Sequence, residues 1–219
     1  MLADKLLAAG NPKLVTKLGG TTWAGSASSI TATAFSLGAA QADRVIVVCV
    51  AAGAGAARQV SGITIGGNAA TLAIRSASVS QCTGVYYLAV PSGTTADIVY
   101  TFTGAVTTLT TSVYALTGWG SVTLYDSNTA NGTGLDLTTA ADLNTPDGGL
   151  LLATGATGAS SAPDFLWSLA LTQDQDYNNG ISYGLCSSKW PSSAATNTSV
   201  TFLTDTKGTN KSVCAAVFS

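Results

Sequence analysis

The chain has 219 residues, of which 46% are hydrophobic and only 9% charged, with nine Lys plus Arg against eleven acidic residues for a net charge of −2. It has no His, and every acidic residue is Asp. This excludes Ser-His-Asp and Cys-His catalytic arrangements and the commonest zinc ligand. It also leaves a glycosidase pair to be built from Asp alone, and offers no basic patch for nucleic acid. Disordered segments pair low hydrophobicity with high charge, the opposite of this composition. No apolar run approaches the roughly 18 residues of a spanning helix.

Residues 1–20 stand apart. Leu2, Leu6 and Leu7, then Leu14, Val15 and Leu18, fall at roughly helical spacing around a break at Gly10-Asn11-Pro12, and three of the nine basic residues lie here. The segment is expected to lie outside a β-body, as a strap over its open end or as an arm docking on a neighbouring subunit. It lacks the pattern of a signal peptide.

From residue 21 the pattern is β. Ile30–Leu37 alternates polar and apolar residues, and Arg44–Val50 is a continuous apolar run suited to the centre of a covered sheet. Ile63-Thr64-Ile65 and Ala70–Ile74 flank Gly66-Gly67-Asn68 as a hairpin. Val85–Val90 stops at the turn Pro91-Ser92-Gly93, and Ala96–Thr103 and Ser112–Leu116 follow. The second half predicts strands at 135–138, 150–154, 165–171, 181–186, 199–203 and 212–218. About a dozen short strands predict an all-β fold, an antiparallel, jelly-roll-like sandwich.

An internal echo runs through the chain. Asp43–Cys49 returns as Asp147–Ala153, Gly84–Leu88 as Gly180–Leu185, and Thr111–Leu116 as Asn210–Ala216. Two sequence-related units, about 21–118 and 119–219, are therefore expected in one body over 21–219, with no linker between them. Cys49, Cys82, Cys186 and Cys214 show no C-x-x-C spacing and read as buried thiols rather than a disulfide framework.

Few residues carry chemistry. Asp174-Gln175-Asp176-Tyr177-Asn178-Asn179 is the most polar stretch. It reads as a solvated turn, with Ca²⁺ binding through Asp174, Asp176 and Asn178 as the alternative. The same two Asp would share a face on a strand, the one opening for an enzyme. Asp174, Asp176, Tyr177 and Trp190 are the candidates for a ligand-facing loop, because sugars stack on exposed aromatic rings. Trp23, Trp119 and Trp167 read first as core. No cofactor or metal is expected.

The strings Ala42–Val48, Val60–Leu72 and Tyr86–Val99, the last carrying Tyr-Leu-Ala-Val-Pro-Ser-Gly-Thr-Thr-Ala-Asp-Ile-Val, resemble a set of tailed-bacteriophage virion-surface proteins, with Trp167–Thr172 an imperfect match to a later motif. The resemblance covers roughly residues 30–180. It implies a non-enzymatic structural component on the virion surface, a capsid decoration or head-fibre protein assembled in the host cytoplasm. Its partners would be other virion proteins and copies of itself, with no nucleic acid and no membrane insertion. The alternative is a receptor- or carbohydrate-binding module of a tail fibre that contacts a host glycan.

Overall fold

A computed structural model of the chain describes residues 12–133, 136–138, 143–158, 165–168, 171–178, 183–204 and 210–219. These residues form antiparallel β-sheets, one of them nearly closed, and contain no helix. The first half supplies β1 (Leu14–Gly19), β2 (Thr22–Ser36), β3 (Val45–Gly53), β4 (Val60–Ile65), β5 (Asn68–Ala69), β6 (Thr71–Ala77), β7 (Gln81–Ala89) and β8 (Thr95–Thr117).

The 23-residue β8 organises this sheet. Along one edge β4 pairs with its first part, Ile65 opposite Ile98, and β3 with its second, Val45 opposite Leu116. Along the other edge β2 runs from Ser36 opposite Thr95 to Thr22 opposite Thr110, and β1 continues to Leu14 opposite Thr117. Register shifts in β2 at Ala24–Ser29 lie where β8 passes from β4 to β3, and the sheet curls there. Inside the curl, Ile30, Ile46, Val48, Ile63, Ile98, Tyr100 and Val113 make one core.

The second half supplies β9 (Leu124–Gly132), β10 (Asp136–Thr138), β11 (Leu143–Thr145), β12 (Gly149–Thr157), β13 (Phe165–Trp167), β14 (Thr172–Asn178), β15 (Tyr183–Ser192), β16 (Ala195–Thr198), β17 (Thr201–Thr204) and β18 (Lys211–Phe218). Its main sheet has the order β14-β15-β12-β18-β9, beside the small sheets β10-β17-β13 and β11-β16. This parallels β6-β7-β3-β8-β1/β2 in the first half, with β13 and β10 flanking β17 as β4 and β2 flank β8. The correspondence extends to register. Val45 opposite Leu116 matches Leu150 opposite Phe218, and a register break at Ala73 between β6 and β7 matches one at Asp174 between β14 and β15.

The two large sheets pack face to face. Because β3 and β12 are buried on both sides, alternate residues serve different cores. Val45, Val47 and Cys49 meet Leu150, Leu152, Cys214, Ala216 and Phe218 in the joint. Leu151, Ala153, Ala215 and Val217 turn the other way, onto Leu143, Leu171 and Val200. Corresponding strands meet across the joint: β18 lies on β7 as β8 lies on β15, β12 on β7 as β3 on β15, and β3 and β12 on each other.

Three expectations are corrected. Leu14–Gly19 is strand rather than helix and belongs to the main sheet, so the body begins before residue 21. The spacing of Leu14, Val15 and Leu18 suits either structure, and pairing with β8 decides it. Ala70–Ile74 does not fold back on Ile63–Ile65. Asn68-Ala69 does, through Gly66 and Gly67 at φ 58° and 80°, with a last bond from Ala70 N to Ile63 O, and from Thr71 the chain crosses as β6 to pair with β7. Thr172–Asn178 is an edge strand rather than a turn.

Candidate functional site

A cluster of polar and charged groups lies at one end of the joint, where β1 and β8 of the first sheet meet β14 and β15 of the second. A break in register at Asp174 sets its carboxylate toward the joint. Oδ2 accepts hydrogen bonds from Tyr114 Oη at 2.5 Å and from Ser188 Oγ, and Lys17 Nζ donates to the Asp174 carbonyl oxygen. Tyr114 is 1% exposed, so its hydroxyl is fixed by packing. Val15, Lys17, Tyr114, Thr172, Asp174 and Ser188 line a cleft of about 220 Å³. A carboxylate oriented by two hydroxyls beside an ammonium is chemistry suited to recognition, since it presents donors and acceptors in fixed places.

A second constellation is structural. The Arg44 guanidinium is 1% exposed and donates to six backbone carbonyls: Leu37, Gly38 and Ala39 before β3, and Val90, Ser92 and Gly93 after β7. Five N–H groups in a planar fork suit such a ring of acceptors. Burial draws its pKa below the usual arginine value. The clasp ties together the two loops at one end of the first sheet.

The start of the described chain is held beside that end. Trp119 Nε1 donates to Leu14 O at 3.1 Å, and Lys13 Nζ sits 4.3 Å from the centroid of the Trp119 ring. Gly118 N donates to Asp43 Oδ2 at 2.7 Å. Pro12, Leu14, Gln41, Ala42, Asp43 and Thr117 border a groove of about 500 Å³, in which Leu14 is 47% exposed. At the other end of β1 the chain squeezes past β8: a Cβ on Gly20 would lie 1.9 Å from Thr111 O, so only glycine fits.

Of the residues the sequence singled out for docking, Leu14 is exposed at this groove, Val15 packs on the joint core and Leu18 on the inner core. Leu2, Leu6 and Leu7 lie outside the described residues. Of the ligand-loop candidates, Asp174 lies at the cleft. Asp176, Tyr177 and Trp190 fall in β14 and β15, and their side chains lie outside the described residues. Trp23, Trp119 and Trp167 pack against the three cores. Cys49, Cys82 and Cys214 are buried, and burial pushes the Cys82 thiol up to about 12. Among the described residues no cluster of three metal-ligating side chains forms, and no helix is long and apolar enough to cross a membrane.

Tyr114, Ser188 and the Arg44 clasp were not foreseen. Tyr114 sits in an apolar run that reads as core, and the bond it makes to Asp174 spans 60 residues. Comparison of the chain with family models, with curated proteins and with solved structures gave no match.

Proposed function

We propose that the protein is a non-enzymatic structural component of a bacteriophage virion surface, a capsid decoration or head-fibre protein. In this reading the body consists of two related, sandwich-like units, and the N-terminal segment 1–20, with Leu2, Leu6, Leu7 and the exposed Leu14, docks on a neighbouring subunit. The observation that carries it is an open groove of about 500 Å³ beside the start of β1, bordered by Pro12, Gln41, Ala42, Asp43, Thr117 and the exposed Leu14, which continues the series of leucines Leu2, Leu6 and Leu7 in the sequence. The sparse surface charge supports close packing against other virion proteins and further copies. The echo between the halves and their shared strand order support the two-unit reading.

The test is saturation binding to assembled phage heads that lack the protein. The intact chain is expected to bind in a fixed ratio to the capsid lattice. The triple variant Leu2→Ser, Leu6→Ser, Leu7→Ser should lose that binding while keeping its melting temperature. Absence of binding by the intact chain would end the capsid reading.

A second reading is a receptor- or carbohydrate-binding module of a tail fibre. The cleft at Asp174 favours it, since a preorganised carboxylate and ammonium at a surface cleft suit a hydroxyl-rich ligand.

A further inference from the structure

Register places Ala73 of β6 at the position corresponding to Asp174 of β14, because Ile74 faces Val85 as Gln175 faces Cys186. By the same pairings Tyr87 corresponds to Ser188 and Ala216 to Tyr114. Ala216 is part of the joint core, and Ala73 and Tyr87 pack against it, the Tyr87 ring edge-on to Phe218. The two ends of the joint thus keep the same break in register, and only one of these two positions carries a carboxylate, Asp174, where the other has Ala73. The break is architectural; the polar cluster is an addition to it.

We propose that this cleft is a binding site for a neutral polyol the size of a single pyranose ring. The proposal rests on the glycan-binding reading above and gives it a place. Asp174 Oδ2 is taken by Tyr114 and Ser188, and Oδ1 carries no hydrogen bond from the described residues. Lys17 Nζ spends one N–H on the Asp174 carbonyl. An open acceptor beside an open donor matches adjacent hydroxyls, one donating to Oδ1 and the next accepting from Nζ. The carboxylate repels an anion, and the ammonium repels a divalent cation. An apolar ligand would bury both charges without partners. The volume of about 220 Å³ is below the ~300 Å³ at which drug-sized pockets begin, which limits the occupant to one ring.

The test is saturation-transfer NMR on the intact protein with methyl glycosides of glucose, galactose, mannose and N-acetylglucosamine, in parallel with Asp174→Asn, Lys17→Met and Thr172→Ala. At least one glycoside is expected to receive saturation from the protein, with affinity weakened at least about tenfold by Asp174→Asn and by Lys17→Met. Thr172→Ala, at the rim on an exposed position, keeps the test open if the other variants unfold; it should shift the amide signals of Val15 and Lys17 on titration less than wild type does. A glycoside that binds wild type and all variants alike would overturn the cleft and leave the glycan reading in place. Saturation of none of the four would overturn the cleft; if host surface polysaccharide is also not bound, the glycan reading falls with it.

Discussion

Single buried residues do much to fix this molecule. Arg44 satisfies six carbonyls from two loops, so a shorter, single-headed cation there leaves several of them without a donor. Arg44→Lys is expected to destabilise by about 3 kcal/mol, lowering the melting temperature by roughly 6–12 °C. A thermal melt within a degree of wild type would refute the clasp. Ser112 is the reverse case: its hydroxyl is fully buried in the joint without a hydrogen-bond partner among the described residues. Removing an unsatisfied polar group removes its desolvation cost. Ser112→Ala should leave denaturant stability unchanged or raise it by up to about 1 kcal/mol, and a clear loss would show that the hydroxyl is used. Burial also sets a response to alkali. Cys82 is raised from 9.0 to about 12, and Tyr86 is raised by burial against the opposing pull of Arg75. Above pH 9 the unfolded chain releases the Cys82 proton while the folded chain keeps it. That contribution is therefore whole below pH 9 and declines as pH rises toward about 12. Melting temperature against pH should fall over this window, less steeply in Cys82→Ala; an identical slope would remove Cys82 as the cause.

Elements meet closely at the joint because small residues allow it. A Cβ on Gly184 of β15 would lie 3.0 Å from Ala51 Cβ and from Thr110 Cβ. Near this point the joint is lined by Thr83, Thr154 and Ser212, with Thr83 Oγ1 3.1 Å from Ser212 Oγ and Thr154 Oγ1 donating to Val50 O. Gly184→Val is expected to wedge the sheets apart at a cost of about 1–3 kcal/mol, read as a lowered denaturation midpoint. An unchanged midpoint would show that the sheets do not approach as described. The legibility of each strand in the sequence follows from its place in the sheets. β3, β7 and β18 are central and read from their apolar runs. β9 and β14 are edge strands of largely polar sequence, Leu124–Gly132 and Thr172–Asn178, and carry no alternation to read. β8 reads as two strands because Thr103-Gly104 looks like an end, where it is one continuous strand.

At the scale of the whole chain, the echo in the sequence finds strands that hold corresponding places in the pairing pattern, β3 with β12, β7 with β15 and β8 with β18. Its residue alignment slips. It matches Val45 to Gly149, where pairing matches Val45 to Leu150, and Ser112 to Ser212, where pairing matches it to Cys214. A slip of two keeps a residue on its face; a slip of one moves it to the opposite core. Strands buried on both sides carry no alternation that could set this register, so only the hydrogen-bonded partners reveal it. The same limit applies to the cleft. Asp174 stood out for its polarity, whereas Tyr114, Ser188 and Lys17 reach it from three other strands. The body of two packed sheets is proposed as a virion-surface component whose N-terminal arm docks on a neighbouring subunit. The most direct measurement is an electron cryo-microscopy reconstruction of phage heads reconstituted with the intact chain. The account predicts density for the two-sheet body at repeating lattice positions, with the N-terminal arm that carries Leu2, Leu6 and Leu7 lying against a neighbouring subunit. Heads bare of such density, or a body attached with that arm free in solvent, would contradict it.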